Sequence, residues 1–289
     1  MISVIIPCYQ SHETLADCLS ALAVQTHGDF ETVLVDSSPN AAPTEAVVRH
    51  FPGVRYRHVE DRLLPHAARN VGVGMTRGDI LVFSDPDCRG HHEWLSRLAD
   101  AHARGHPVVG GGVSGLDDRT NRAIHMVKYG WWLPGGRPGP RVQLPSANFS
   151  LTRELWDRVG PFREDRWAGD TELSWRLMEA GEELWFEPEA VITHLDHGSR
   201  GDFLRQHRAR GRDFGLTRAE SKGWGRLECL GRALVSPLVP EIMLVRAGKL
   251  ALQAGQGGAW LSTMPFQFLA LCAWAGGEAG ALWKRAWAG

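Results

Sequence analysis

Two aspartates separated by one proline, Asp85-Pro86-Asp87, close an apolar run from Ile80 to Phe83. A short apolar run ended by turn residues reads as a buried strand. Extended chain alternates its faces, so Asp85 and Asp87 can project the same way. Such oxygen ligands suit hard divalent cations: Mg²⁺ or Mn²⁺ commonly takes one or two carboxylates together with substrate phosphates. In open α/β sheets, ligands bind beyond the carboxyl ends of the strands, which is where this pair stands. The competing reading is an ordinary polar turn, since Asp and Pro are common turn formers.

The elements that must position the pair are legible on either side of it. Ser3-Val4-Ile5-Ile6-Pro7 reads as a buried strand, followed by the loop Cys8-Tyr9-Gln10-Ser11. Glu13 to Thr26 has helical spacing, with Leu15, Leu19 and Leu22 on one face. Thr32 to Val35 is a further apolar run, ending at Asp36, and Val54 to Val59 alternates like a strand. Ala67 to Met75 reads as a helix that carries Arg69 and Asn70 near its start. This alternation implies a doubly wound, mostly parallel sheet. Polar groups recur where strands end: Gln10, Asp36, and the Asp85/Asp87 pair.

On these segments the chain resembles the family 2 glycosyltransferases, inverting enzymes of the GT-A fold that use nucleotide sugars. The matching pieces are Val4-Ile5-Ile6-Pro7-Cys8-Tyr9, Val35-Asp36, Ala68-Arg69-Asn70-Val71-Gly72 and Asp85-Pro86-Asp87. Further on, Ala147-Asn148-Phe149-Ser150, Val159-Gly160-Pro161-Phe162 and Gly169-Asp170-Thr171-Glu172-Leu173-Ser174 match as well. The resemblance implies that Pro7, Tyr9, Asp36, Arg69 and Asp85 bind the donor nucleotide, with Asp36 on the base and Asp85 on the ribose. It implies a divalent cation, Mn²⁺ or Mg²⁺, on Asp87, and Asp170 as the catalytic base. The chain departs from the family in three places. Ser37 and Ser38 stand where a second acid and a glycine are common, Cys88 where another acid is frequent, and Gly169 where a glutamate often precedes the base.

Bulk composition agrees with an enzyme of this kind. The chain has 289 residues and a net charge of −1, with a pI near 6.9, so bulk charge gives no sign of a nucleic-acid partner. The five cysteines, Cys8, Cys18, Cys88, Cys229 and Cys272, are odd in number and lack metal-site spacing. They read as reduced thiols of a cytosolic protein. Met1 to Cys8 has no basic flank and too short an apolar run for a signal peptide.

Residues 1–105 read as the nucleotide-sugar half of one GT-A domain, and 106–199 as its acceptor-binding and catalytic half. Val108 to Val113 is glycine-rich and suits a strand that another backbone approaches closely. Tyr129 to Arg141 has the composition of a mobile loop and holds Trp131 and Trp132. Those rings can stack on an acceptor sugar, or simply pack beneath the loop. Thr171 to Ala180 is a helix stopped by Gly181, so Asp170 can be an N-cap as well as a base. Glu172 and Asp165 compete with it, and Glu172 is also an acceptor candidate. Val191 to His194 is a strand-like run followed by Asp196 and His197. His194 is the first choice for a further metal ligand and His197 the second, with bonds to backbone or acceptor as the alternative.

From residue 200 to 289 the chain turns basic and then apolar. Nine arginines and lysines between Arg200 and Arg232 precede two apolar stretches, Ala233 to Leu252 and Trp260 to Trp283. The first stretch carries Glu241, Arg246 and Lys249, and the second runs uncharged only from Leu261 to Gly277, at the short limit for a span. A helical appendage lying at the cytoplasmic face of the cell membrane fits these features, its arginines facing anionic headgroups or a lipid-linked acceptor. Packing on the soluble domain or on a second subunit is the alternative. The expected activity is transfer of a sugar from a nucleoside-diphosphate sugar to a saccharide or lipid-linked acceptor hydroxyl, in cell-envelope polysaccharide, glycolipid or related glycoconjugate synthesis. A sugar nucleotidyltransferase would open with a glycine-rich phosphate loop, and Pro7-Cys8-Tyr9-Gln10 is not one. A non-catalytic nucleotide-sugar-binding or scaffold protein would not need Asp85, Asp87 and Asp170 together.

Overall fold

A computed structural model of the chain describes residues 1–116, 118–195 and 199–287. It divides into two units: 1–114 with 137–165 and 169–195, and 115–136 with 166–168 and the residues from 196 onward.

The first unit is a central sheet with helices on its faces. Its strands are β1 (Ile2–Cys8), β2 (Phe30–Asp36), β3 (Val54–His58), β4 (Ile80–Phe83), β5 (Cys88–Gly90), β6 (Val108–Gly115), β7 (Gly139–Arg141), β8 (Phe149–Thr152) and β9 (Leu184–His194). The order is β3-β2-β1-β4-β8-β6-β9-β5, with β7 also on β9. β1, β2, β3 and β4 pair in parallel. The mostly parallel sheet expected from the sequence is thus the first half alone, because β8 pairs antiparallel with both β4 and β6, and β9 antiparallel with β5 and β7. The physical reason is connectivity. Parallel neighbours need a crossover helix, and the regular strand–helix alternation ends at β4.

β1 is buried along its whole length, as a strand covered on both faces must be. α1 (His12–Ala23) lays Leu15, Cys18, Leu19 and Leu22 against the sheet. α3 (Pro65–Val73) starts with a proline, whose missing N–H costs nothing in a first turn. Between them α2 (Ala42–Val48) is a short helix. α4 (Trp94–Ala103) buries Trp94, Leu95, Leu98 and Ala101. A polar knot ties this half together. Buried Asn148 donates to Gly112 O at 3.0 Å and Ala190 O at 2.8 Å, and accepts from Trp94 Nε1 at 2.9 Å. The close backbone approach expected of the glycine run occurs at Gly111, where a Cβ would collide with Asn148 and the Ala190 carbonyl. α6 (Arg153–Val159) is capped by Thr152 and stopped by Gly160 at φ 91°.

The second unit is helical. It contains α5 (Arg119–Tyr129), α8 (Arg200–Ser221), α9 (Arg226–Val235), α10 (Val239–Gln253) and α11 (Gly257–Trp287). The remaining helix, α7 (Gly169–Glu179), belongs to the first unit. α8 and α11 touch backbone to backbone. A Cβ on Gly211 would meet the Trp274 carbonyl, and one on Gly277 the Arg208 carbonyl. Between the same two helices, His207 stacks on Phe203 at 5.0 Å and lies 4.9 Å from Trp274.

Candidate functional site

The carboxyl ends of β1, β2 and β4 carry the candidate donor-side residues. Asp36 ends β2 with no exposed surface. Its Oδ1 accepts from Ser38 N at 2.9 Å and Ser38 Oγ at 2.5 Å, and its Oδ2 from the Tyr56 hydroxyl at 3.2 Å. Burial first, and then the Asp36 charge, push the Tyr56 phenol well above its usual range, so it stays a donor. Ser38 Oγ also accepts from Gln10 N at 2.7 Å. Gln10 has φ 52°, a left-handed conformation uncommon outside glycine, in the loop after Pro7 and Tyr9. The serine that replaces an expected glycine therefore fastens the β1 loop to Asp36. Tyr9 is partly exposed, and the Arg62 guanidinium lies 4.4 Å from its ring centre.

Arg69 sits in α3, 2% exposed, and its Nη2 pairs with Asp85 Oδ1. Its Nη1 lies 3.3 Å from His66 Nδ1. Its Nε is buried with no hydrogen-bond partner among the described residues. An arginine held this way by one carboxylate keeps donors in reserve for an anion.

Asp85 and Asp87 converge through a turn rather than along a strand. β5 follows that turn at once and pairs with the end of β9, Cys88 opposite His194. Leu195 N donates to Asp87 O at 2.8 Å. This pairing brings His194 Nε2 to 3.6 Å from Asp87 Oδ2. Asp85, Asp87, Cys88 and His194 each offer a ligand atom within 4.8 Å of the others. Two carboxylates, an imidazole and a thiol fit a divalent cation. The Cys88 thiol is pushed well above its usual range by burial and then by Asp87 and Asp85, an electrostatic cost that a cation would relieve.

Asp170 lies in the first turn of α7, partly exposed. Its Oδ2 accepts from Ser146 N at 3.1 Å and its Oδ1 from Thr171 N at 2.7 Å. Two backbone donors aim the carboxylate and leave lone pairs for a further proton donor. Its competitors are engaged elsewhere. Glu172 accepts from Arg176 Nε at 2.9 and 3.0 Å, and Arg176 in turn holds the Val159 and Pro161 carbonyls. Asp165 is paired with Arg163 and exposed. Trp131 and Trp132 belong to the second unit, where Trp132 is buried and Trp131 partly exposed. His197 lies outside the described residues.

Sequence reasoning passed over His66, Tyr56 and Ser146. His66 was open to discovery, because it precedes Arg69 by one helical turn and so shares its face. Tyr56 and Ser146 reach the site only through sheet pairing and chain return, which leave no local signal.

Residues 3–163 match the Glycosyl transferase family 2 profile. Glycosyltransferase AglE of Haloferax volcanii is 28% identical over 203 residues, 67% of this chain and 66% of that protein. An undecaprenyl-phosphate 4-deoxy-4-formamido-L-arabinose transferase of Aeromonas hydrophila is 29% identical over 118 residues, 38% of this chain and 36% of that one. The chain thus spans less than two thirds of these relatives. Among solved structures, the mannosyltransferase PcManGT of Pyrobaculum calidifontis, in complex with GDP-Man and Mn²⁺, matches with a TM-score of 0.56. It is 18% identical, and the match covers 91% of this chain and 86% of that one. On the family match, which takes in β1, Asp36, Arg69 and the Asp85/Asp87 pair, the chain belongs to glycosyl transferase family 2.

Proposed function

We propose that the protein is an inverting glycosyltransferase. It moves a sugar from a nucleoside-diphosphate sugar to an acceptor hydroxyl in the synthesis of a cell-envelope polysaccharide, glycolipid or related glycoconjugate. The observation that carries this reading is the convergence of Asp85, Asp87 and His194 beside the buried Arg69 guanidinium. Together they would make a cation site and an anion-binding group, just beyond the carboxyl end of parallel β4 and beside the end of antiparallel β9. The nucleotide-sugar and Mn²⁺ complex of the structural neighbour supports it, and the lipid-phosphate relative supports a lipid-linked acceptor.

In this reading Asp87 and His194 hold a divalent cation, Mn²⁺ or Mg²⁺. When bound, it supplies charge neutralisation for the departing diphosphate. Asp85 orients the ribose and fixes Arg69, whose spare N–H groups face the donor. Asp36, locked by Ser38 and Tyr56, shapes the base end. Asp170 takes the proton of the acceptor hydroxyl, whose oxygen then attacks the anomeric carbon from the side opposite the leaving group. No covalent link to the protein forms, and the configuration inverts.

No described helix is long and apolar enough to cross a membrane. With its basic and apolar C-terminal helices, the protein is proposed to sit peripherally on the inner face of the cell membrane.

The test is release of nucleoside diphosphate from a nucleotide-sugar panel by wild-type protein and Asp170→Asn. The variant should bind donor normally and turn over on the order of a hundredfold more slowly, as general-base losses do. Near-normal turnover would remove Asp170 from the role, and a panel with no turnover would remove the activity.

A further inference from the structure

α11 leaves large apolar side chains open while polar ones are among those it buries. The side it buries in the helical unit is mostly small and apolar, with Ala270, Ala275, Ala281, Leu282 and Ala286, yet it also takes in Thr263, Gln267 and Glu278. Gln267 is satisfied within the helix, donating to Trp260 O at 3.1 Å and Thr263 Oγ1 at 2.9 Å. Glu278 has its carboxyl pushed above the usual range by burial. The side left open carries Leu261, Phe268, Leu269, Trp283 and Trp287, between 39% and 61% exposed, together with exposed Cys272. A helix on a water-facing surface keeps such large apolar residues on its covered side. α10 and the turn before it also leave apolar side chains open, with Leu238, Ile242 and Val245 at least half exposed beside exposed Glu241, Arg246 and Lys249. An uncovered apolar face of this extent marks an interaction surface.

Charge selects the occupant. Between 226 and 287 there are six lysines and arginines against three acids, and one of the acids is the buried Glu278. Lys284 and Arg285 stand between the two terminal tryptophans, and the Arg226 guanidinium lies 4.0 Å from the Trp287 ring centre. A second copy of this chain would bring like charge to like charge. A bilayer offers apolar tails for the open side, an interface for tryptophan rings, and phosphates for the cations.

We infer that the open face of α11 is the surface on which the protein rests in an anionic bilayer, the helix lying in the interfacial plane. The inference rests on the peripheral attachment proposed above and names its surface and its lipid class. Attachment carries the first unit with it along the chain, which keeps the enzyme where a lipid-linked acceptor is.

Cys272 makes the test direct, because it lies on this face and the other four cysteines are buried. The full-length chain is labelled there with an environment-sensitive fluorophore. It is then mixed with vesicles of phosphatidylglycerol and phosphatidylcholine, or of phosphatidylcholine alone. Emission should shift to the blue and the protein should float with the anionic vesicles only, more weakly at high salt. A Phe268→Ser/Leu269→Ser variant, and separately Trp283→Ser/Trp287→Ser, should lose about tenfold or more in partitioning, since each pair removes two large apolar side chains from the contact. Their helix content and melting temperature should match wild type. Flotation without a blue shift, or with both variants unimpaired, overturns this face and leaves attachment standing. No flotation of the full-length chain overturns both. A blue shift without vesicles that follows protein concentration assigns the face to a second copy and overturns the lipid assignment.

Discussion

His66 occupies the space beside Gly169. A Cβ at residue 169 would stand 2.6 Å from His66 Cδ2 and 2.7 Å from the Arg163 carbonyl, closer than a Cβ can sit. The His66 ring is 3% exposed and stacks on Phe162 at 4.9 Å, while its Nδ1 meets Arg69. One imidazole therefore touches both the arginine of the Arg69–Asp85 pair and the residue preceding Asp170. The glycine that departs from the family pattern makes room for this ring.

Gly169→Ala should destabilise the fold by about 1–3 kcal/mol, as overpacking does, and should lower turnover by shifting Asp170. His66→Ala/Gly169→Ala should cost less than the two single changes added together, because both act on one space. Urea unfolding of the four proteins measures the coupling, and additive costs would contradict the geometry.

Asp87→Asn should abolish metal-dependent affinity for a nucleoside diphosphate, and His194→Ala should weaken it by about tenfold or more. Calorimetry with Mn²⁺ and a nucleoside diphosphate reads both. Arg69→Lys should weaken diphosphate binding as well, since a point ammonium cannot hold Asp85 and keep the same spare planar donors.

Acid should loosen the helical unit through His207. Burial, and then the charges of Arg210 and Lys128, push its pKa down from 6.5 to about 3. The unfolded chain therefore binds the proton more readily. The neutral ring's contribution is complete above about pH 6.5 and drains away as pH falls toward 3, on the order of 5 kcal/mol at most. His102 in α4, pushed down to about 4 mainly by burial, should act in the same direction in the first unit. Urea melts between neutral pH and mild acid should show His207→Phe losing less stability than wild type.

Gly211→Leu should separate α8 from α11 and cost more than about 3 kcal/mol, because the obstacle is the Trp274 backbone and not a movable side chain. Loss of the near-ultraviolet tryptophan signal at a lower temperature checks it. Gly231→Ala, on α9 with open space around it, is the matched control and should be neutral or mildly stabilising.

The sequence by itself determined the first half of the sheet and the positions at which chemistry could occur. β1, β2 and β4 are apolar at successive positions, Val4 and Ile5, Val33 and Leu34, Leu81 and Val82, because those strands are covered on both faces, and Asp36 and Asp85 follow where the apolar runs stop. Local periodicity records such facts, since burial acts on each residue in place. Which of these groups meet was decided only by tertiary structure. His194 reaches Asp87 because a three-residue strand pairs with the end of β9. His66 reaches Gly169, and Tyr56 reaches Asp36, through packing and register between segments far apart in the chain. Backbone hydrogen bonds set that register, and they are the same for every residue type, so composition cannot report it. The C-terminal helices show the same limit from the other side. Their apolar residues were plain in the sequence, but Leu261 and Phe268 face outward while Thr263 and Gln267 face inward. Only the packing of α11 against α8, α9 and α10 could decide which side each takes.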